Sequence, residues 1–152
     1  MKTLYLDVSC LNRPFDDQRQ TRIRLEAEAV TLILERIEAG RYRHMSSQIA
    51  EIEIAAMRDA DRRRRVTSLL PARADRMKLT AAMFVRAAEL EAFGFKPADA
   101  LHIAAAEYLK VDVLLSCDDR MCRRAGAKRT RLHVRVSNPL EWLKENADAP
   151  DA

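Results

Sequence analysis

Asp7 and Asp118 each close an apolar run that reads as a β-strand: Thr3 to Leu6 before the first, Val111 to Cys117 before the second. In open parallel α/β sheets the carboxyl ends of strands line the crevice where ligands bind. Two acids arriving there from opposite ends of the chain point to a cation site, and a cation site to chemistry. Asp99 falls in the first turn of a helix predicted to open at Pro97. There an acid stabilises the helix by about 0.3–1 kcal/mol without any further role. Glu51 and Glu53 separate by helical phase: at ~100° per residue, with Ile49 at zero, Glu53 falls at about 40° inside the apolar arc and Glu51 at about 200°. A buried, unpaired carboxylate is costly, so Glu53 needs a partner or a cation and Glu51 reads as solvated. Asp118 is followed by Asp119, so one of the two reads as a helix cap and the other as a site residue.

If Asp7, Glu53, Asp99 and Asp118 converge, each like-charged pair costs roughly 4 kcal/mol at 4 Å and an effective dielectric near 20. Such a group persists at neutral pH when a divalent cation neutralises it or when some members are protonated. Hard oxygen donors without clustered His or Cys favour Mg²⁺ or Mn²⁺ over zinc. Carboxylate-held ions of that kind activate water and stabilise both oxygens in phosphodiester cleavage.

The elements that must position these acids alternate strand and helix. After the first strand comes a turn-rich stretch, Asn12 to Asp17, then a long helix with Asp17 and Gln20 spaced like a capping box. Its stripe Ile23, Ala27, Val30, Leu34 and Ile37 has helical spacing, and Gly40 ends it. A strand at 42–45, helices at 48–57, 61–70 and 81–93, and a short strand at 77–80 follow. The helix 97–109 comes next, then the strand 111–116, a short helix 120–125, a strand alternating at Leu132, Val134 and Val136, and a helix opened by Asn138-Pro139. Strands separated by helices imply a three-layer α/β/α sandwich around a mainly parallel sheet. One domain is expected over residues 1–146, with a frayed tail at 147–152.

With 152 residues, 48% apolar and 33% charged, the chain suits one soluble domain. Neither a membrane-length apolar run nor a signal-peptide pattern is present, which sets the expectation of a cytoplasmic protein. Cys10, Cys117 and Cys122 form no C-x-x-C pair and read as reduced, buried thiols. The net charge is +4, and between Arg120 and Arg135 there are seven Lys or Arg and no acid. This run follows Asp118 directly, so a cationic surface is expected beside an acidic pocket, suited to a polyanion. Arg120, Arg123 and Arg124 are its candidate substrate contacts. The second basic run, Arg62 to Arg65, reads as a solvated face. Aromatics are 5% of the chain and absent from the run after Asp118, which argues against single-strand binding by stacking. Trp142, with Leu140 and Leu143, reads as a core anchor.

Four segments resemble the PIN-domain nucleases, the fold of VapC-type toxins. Leu6-Asp7-x-Ser9 looks like the family's first acidic motif, and Ser47 to Glu53 is similar to the segment in which a serine precedes the second acid by six residues. Asp99-Ala100-Leu101-His102-Ile103-Ala104 matches the third motif, and Leu114 to Asp118 looks like the fourth, usually Thr-x-Asp with Phe three residues on. Here Ser116 stands for that Thr and Met121 for that Phe. The resemblance implies a metal-dependent endoribonuclease using Mg²⁺ or Mn²⁺, with Asp7, Glu53 and Asp99 as principal ligands and Asp118 completing the site. Spacing favours Asp118 over Asp119. Ser9 and Ser116 would fix carboxylate rotamers. His102 is given a structural role, because the motif carries a His there without catalytic duty. A toxin role implies RNA as substrate and a cognate antitoxin as partner, and a homodimer fits apparent relatives. A non-catalytic RNA-binding or scaffold protein on the same fold is the alternative, and four mutually repelling acids argue against it. A phosphotransfer receiver needs a middle-strand Asp and a late Lys that are not evident.

Overall fold

The computed structural model describes residues 1–146, so the expected tail at 147–152 lies outside the described residues. Five parallel strands form one sheet: β1 (Lys2–Leu6), β2 (Tyr42–Ser47), β3 (Arg76–Met77), β4 (Val113–Leu115) and β5 (Val136–Ser137), in the order β3-β2-β1-β4-β5. Among the described residues eight α-helices connect and cover them: α1 (Val8–Asn12), α2 (Thr21–Glu38), α3 (Gln48–Ala55), α4 (Ala60–Thr67), α5 (Ala81–Ala92), α6 (Pro97–Leu109), α7 (Asp119–Ala127) and α8 (Pro139–Glu145). This is the three-layer α/β/α sandwich expected.

The central strand explains the layering. Leu4, Tyr5 and Leu6 are all fully buried, as a strand covered on both faces requires. Alternate side chains leave opposite faces. Leu4 and Leu6 pack with Val30, Ile33, Val113 and Trp142, whereas Tyr5 packs with Leu90, Ile103 and Leu114. The alanines of α6 (Ala100, Ala104, Ala105, Ala106) are buried and let that helix lie close to the sheet. Trp142 anchors α8, meeting Tyr42 edge-on at 5.5 Å.

Several local expectations shift. The stretch after β1 is helical sooner, with α1 starting at Val8 and a 3₁₀ turn at Arg13–Phe15. The capping box does not form: α2 begins at Thr21 without a side-chain cap, and Asp17 bonds Arg19 instead. Gly40 does follow α2 in the left-handed region, at φ 80°. The strand expected from Val111 shortens to Val113–Leu115, because Asp112 turns its carboxylate onto the Thr3 amide at 2.7 Å. The last strand shortens to Val136–Ser137. The basic run on α4 is not simply a solvated face: Arg62 reaches Asp16 at 2.8 Å and the Phe15 carbonyl at 2.7 Å.

Candidate active site

Because every strand is parallel, all carboxyl ends share one edge of the sheet. The chain turns in opposite directions from β1 and β4, so the crevice opens between these two neighbours. Asp7 follows β1 and Asp118 follows the β4 turn. Their segments are joined by the Asp7 amide donating to the Leu115 carbonyl at 3.0 Å and the Cys117 amide donating to Ser9 Oγ at 3.0 Å. Ser9 Oγ donates to Asp7 Oδ1 at 2.6 Å, and the Cys10 amide donates to the same oxygen at 3.0 Å. Asp118 accepts from the Met121 amide at 3.1 Å, and its own amide donates to Ser116 Oγ at 3.1 Å. Asp7 and Asp118 therefore cap α1 and α7. Capping alone does not require a charge, since Asn or Ser serves as well.

Asp99 feels the charges of the other three acids. Asp99, half-buried in the first turn of α6, has its carboxyl raised to about 6, by burial first and then by the charges of Asp7 and Asp118. His102 opposes this rise and Glu53 adds to it. Burial also pushes the Asp7 carboxyl up, against His102, the Ser116 and Ser9 hydroxyls and the Cys10 amide. Ser9 bonds Asp7 directly, whereas Ser116 Oγ accepts from the Asp118 amide and lies 3.4 Å from Ser9 Oγ. Neither oxygen of Asp99 accepts a hydrogen bond among the described residues, and Asp118 Oδ2 and Glu53 Oε2 are likewise unengaged. No three His, Cys, Asp or Glu side chains among the described residues already stand close enough to chelate an ion. The donor set nevertheless fits a hard divalent cation: its donors are oxygens, several are unengaged, and a bound cation would reverse the rise at Asp99.

Glu53 lies in the last turn of α3, its side chain about one-third exposed. The apolar arc that selected it is centred differently from the sequence reading: Ile49, Ala50 and Ile54 are buried, whereas Ile52 is 51% exposed. Glu53 still falls within the arc, and Glu51 is exposed. Its partner is His102, whose Nε2 contacts Glu53 Oε1. The other ring nitrogen meets Tyr5 Oη at 2.7 Å, and Tyr5 Oη meets Ser47 Oγ at 2.7 Å. His102, expected to be structural, is buried and links Tyr5 to Glu53. Its position on a buried alanine face was the available signal.

Asp119 points elsewhere and is ion-paired with Arg22 of α2, which lowers its carboxyl. Arg22 and Arg13 also flank Glu26, which is buried on α2; Arg13 Nε lies 3.1 Å from it, and Asn138 Nδ2 donates to it at 2.5 Å. Sequence reasoning passes over Glu26, although it sits between Ile23 and Val30 on the stripe. Cys10 and Cys117 are buried with their sulfurs 3.7 Å apart, and burial pushes the Cys10 thiol well up, which suits an inert thiol.

The basic run divides. Helix α7 carries the chain about 13 Å away from the site edge. Arg120 and Arg123 stay within its first half and are exposed, whereas Lys128, Arg129 and Arg131 lie at the far end. Arg124 sits against Gly94, leaving no room there for a Cβ.

The sequence pattern of the PIN domain matches residues 4–127. No curated protein matches the chain in sequence. Among solved structures it is similar to one described as FitAB bound to an IR36 DNA fragment, at 18% identity and a TM-score of 0.56, covering 90% of this chain and 95% of that one. At that identity the likeness speaks to the fold alone. Members of the matching family are generally metal-dependent nucleases. The acids of its motifs and the sheet that gathers them agree with that match over most of the chain, and this chain belongs to the PIN-domain family.

Proposed function

We propose that the chain is a Mg²⁺- or Mn²⁺-dependent endoribonuclease and the toxin half of a toxin–antitoxin pair of the VapC type, acting in the cytoplasm. The observation that carries this reading is the placement of Asp7 and Asp118 side by side at the carboxyl ends of β1 and β4, with Asp99 half-buried in the first turn of α6, in a chain whose residues 4–127 match the PIN domain. A scaffold protein has no use for carboxylates that raise one another's proton affinity.

Asp7, Glu53, Asp99 and Asp118 would hold the ions. Bound there, divalent ions supply an activated water and stabilise charge on the attacking and leaving oxygens. The chain's own contribution is placement. Ser9 and the Cys10 amide fix Asp7 Oδ1, the Met121 amide fixes Asp118 Oδ1, and the first turns of α6 and α7 add positive dipole ends near the acids. Arg120, Arg123 and Arg124, all exposed on α7, would draw the RNA backbone along the edge. An antitoxin would silence the site by laying a basic side chain across the acids. A second copy of the chain belongs to this reading too: Phe84 and Val85 on α5 and Tyr108 on α6 are exposed.

Incubating the protein with RNA and with single-stranded DNA of equal sequence, in Mn²⁺ and in excess chelator, tests the activity. Cleavage of RNA only, abolished by chelator, is expected. RNA cleavage that survives chelation would remove the metal from the account.

A further inference from the structure

We infer that Ser47, Tyr5 and His102 form a buried relay whose task is to position Glu53, and that the relay sets the affinity of the site for its cation. The inference rests on the reading of Glu53 as a site carboxylate.

With Glu53 a carboxylate and His102 a neutral imidazole, the direction of every hydrogen bond in the relay follows. Glu53 as a carboxylate can only accept, so His102 Nε2 must carry a hydrogen and donate to Oε1. A neutral imidazole then presents Nδ1 as an acceptor, which makes Tyr5 Oη–H the donor across 2.7 Å. Burial keeps the Tyr5 phenol protonated, as that bond requires. Its remaining lone pairs take the Ser47 Oγ–H at 2.7 Å. Each polar atom of the relay finds a partner, and no charged imidazole is needed.

The relay gathers residues from β1, β2, α3 and α6, and its interior members are rigid. Tyr5 and Ser47 are fully buried and His102 is 2% exposed. Tyr5 and His102 also meet edge-on, with centroids 5.5 Å apart. Glu53 is the only flexible member, a long side chain about one-third exposed at the end of a short helix. Left alone, a glutamate gives up its rotamer freedom when a ligand orders it, which weakens binding. Anchoring Oε1 beforehand removes much of that cost and leaves Oε2 without a hydrogen-bond partner among the described residues. Partners that orient a ligating side chain typically contribute 10–100-fold to metal affinity.

Calorimetric titration with Mn²⁺ reads this without any catalysis, using wild type, His102→Leu, His102→Gln, Tyr5→Phe and Asp7→Asn, each with its thermal midpoint in chelator. His102→Leu should weaken Mn²⁺ binding about tenfold or more while melting within a few degrees of wild type. Tyr5→Phe, which deletes one oxygen, should fall between the two. His102→Gln retains an N–H donor and should recover most of the affinity. Unchanged affinity in both His102→Leu and Tyr5→Phe overturns the relay, as does a loss matched by His102→Gln. If His102→Leu and Tyr5→Phe both bind like wild type while Asp7→Asn binds weakly, the relay fails and the site stands. If wild type itself binds no Mn²⁺ at millimolar concentration, the site reading fails, and the relay with it.

Discussion

Replacing Asp99 with Asn should stabilise the metal-free protein at alkaline pH, although it removes a residue of the proposed site. Asp99 titrates near 6 in the folded chain against about 3.9 unfolded. Between these values the folded state binds more protons, so Asp99's contribution to stability is intact below about pH 4 and is lost as pH rises through 6. The full linkage is about 3 kcal/mol, and half-burial with solvent screening reduces it to about 1–2 kcal/mol. Asn escapes this penalty but gives up part of the roughly 0.3–1 kcal/mol that a first-turn acid contributes to α6. The net gain at pH 8 is about 1 kcal/mol, which raises the midpoint by about 2–4 °C for a chain of this size. At pH 4 the difference should vanish, because both side chains are then neutral. Saturating Mn²⁺ should reverse the order, since a ligand at 100 times its Kd adds about 2.7 kcal/mol to the protein that binds it. Differential scanning fluorimetry at pH 4 and pH 8, with chelator and with Mn²⁺, reads all four conditions. A variant less stable than wild type at pH 8 in chelator, or an equal gap at both pH values, refutes the electrostatic argument.

Asp118→Asn should cap α7 nearly as well as Asp, leaving the midpoint within about 2 °C while RNA cleavage falls at least 100-fold. Asp119→Asn, whose loss only releases Arg22, should cleave within threefold of wild type; reversed results would exchange their roles. Glu26→Ala removes one of Arg13's two carboxylate partners and leaves Asn138 Nδ2 without its acceptor, so chemical denaturation should show a loss of about 2 kcal/mol. A loss below about 1 kcal/mol would mean the network is incidental. Joint charge reversal of Arg120 and Arg123 should weaken RNA binding and reduce the salt slope, whereas reversal of Arg129 and Arg131 at the far end of α7 should change neither. Equal effects in filter binding would show that the divided run acts as one surface.

How much of this was legible beforehand depends on how local each determinant is. Helix α6 was readable to the residue because Pro97 fixes its first turn and its alanines define one face. Gly40 and Asn138-Pro139 are equally local signals. Helix α1 was missed because five residues carry too little periodicity, and β4 shortened because Asp112 found the Thr3 amide, 109 residues away in sequence. The site divides the same way. The four acids lie in motifs, and Glu53 was separated from Glu51 by helical phase even though Ile52 proved exposed. The contact between His102 and Glu53 spans 49 residues and that between His102 and Tyr5 spans 97, so neither leaves a mark on local spacing. The pairing of Asp119 with Arg22 spans 97 residues as well, and it separates two adjacent aspartates that the sequence alone leaves side by side.

On this reading, four carboxylates from the ends of the chain and its middle make one metal-dependent cutting site. Its most direct test is cleavage of a labelled RNA in Mn²⁺ by wild type, Asp7→Asn and Asp99→Asn, all shown to be folded. The account predicts that wild type cuts and that each single variant loses at least 100-fold. Cleavage by both variants at the wild-type rate would contradict it.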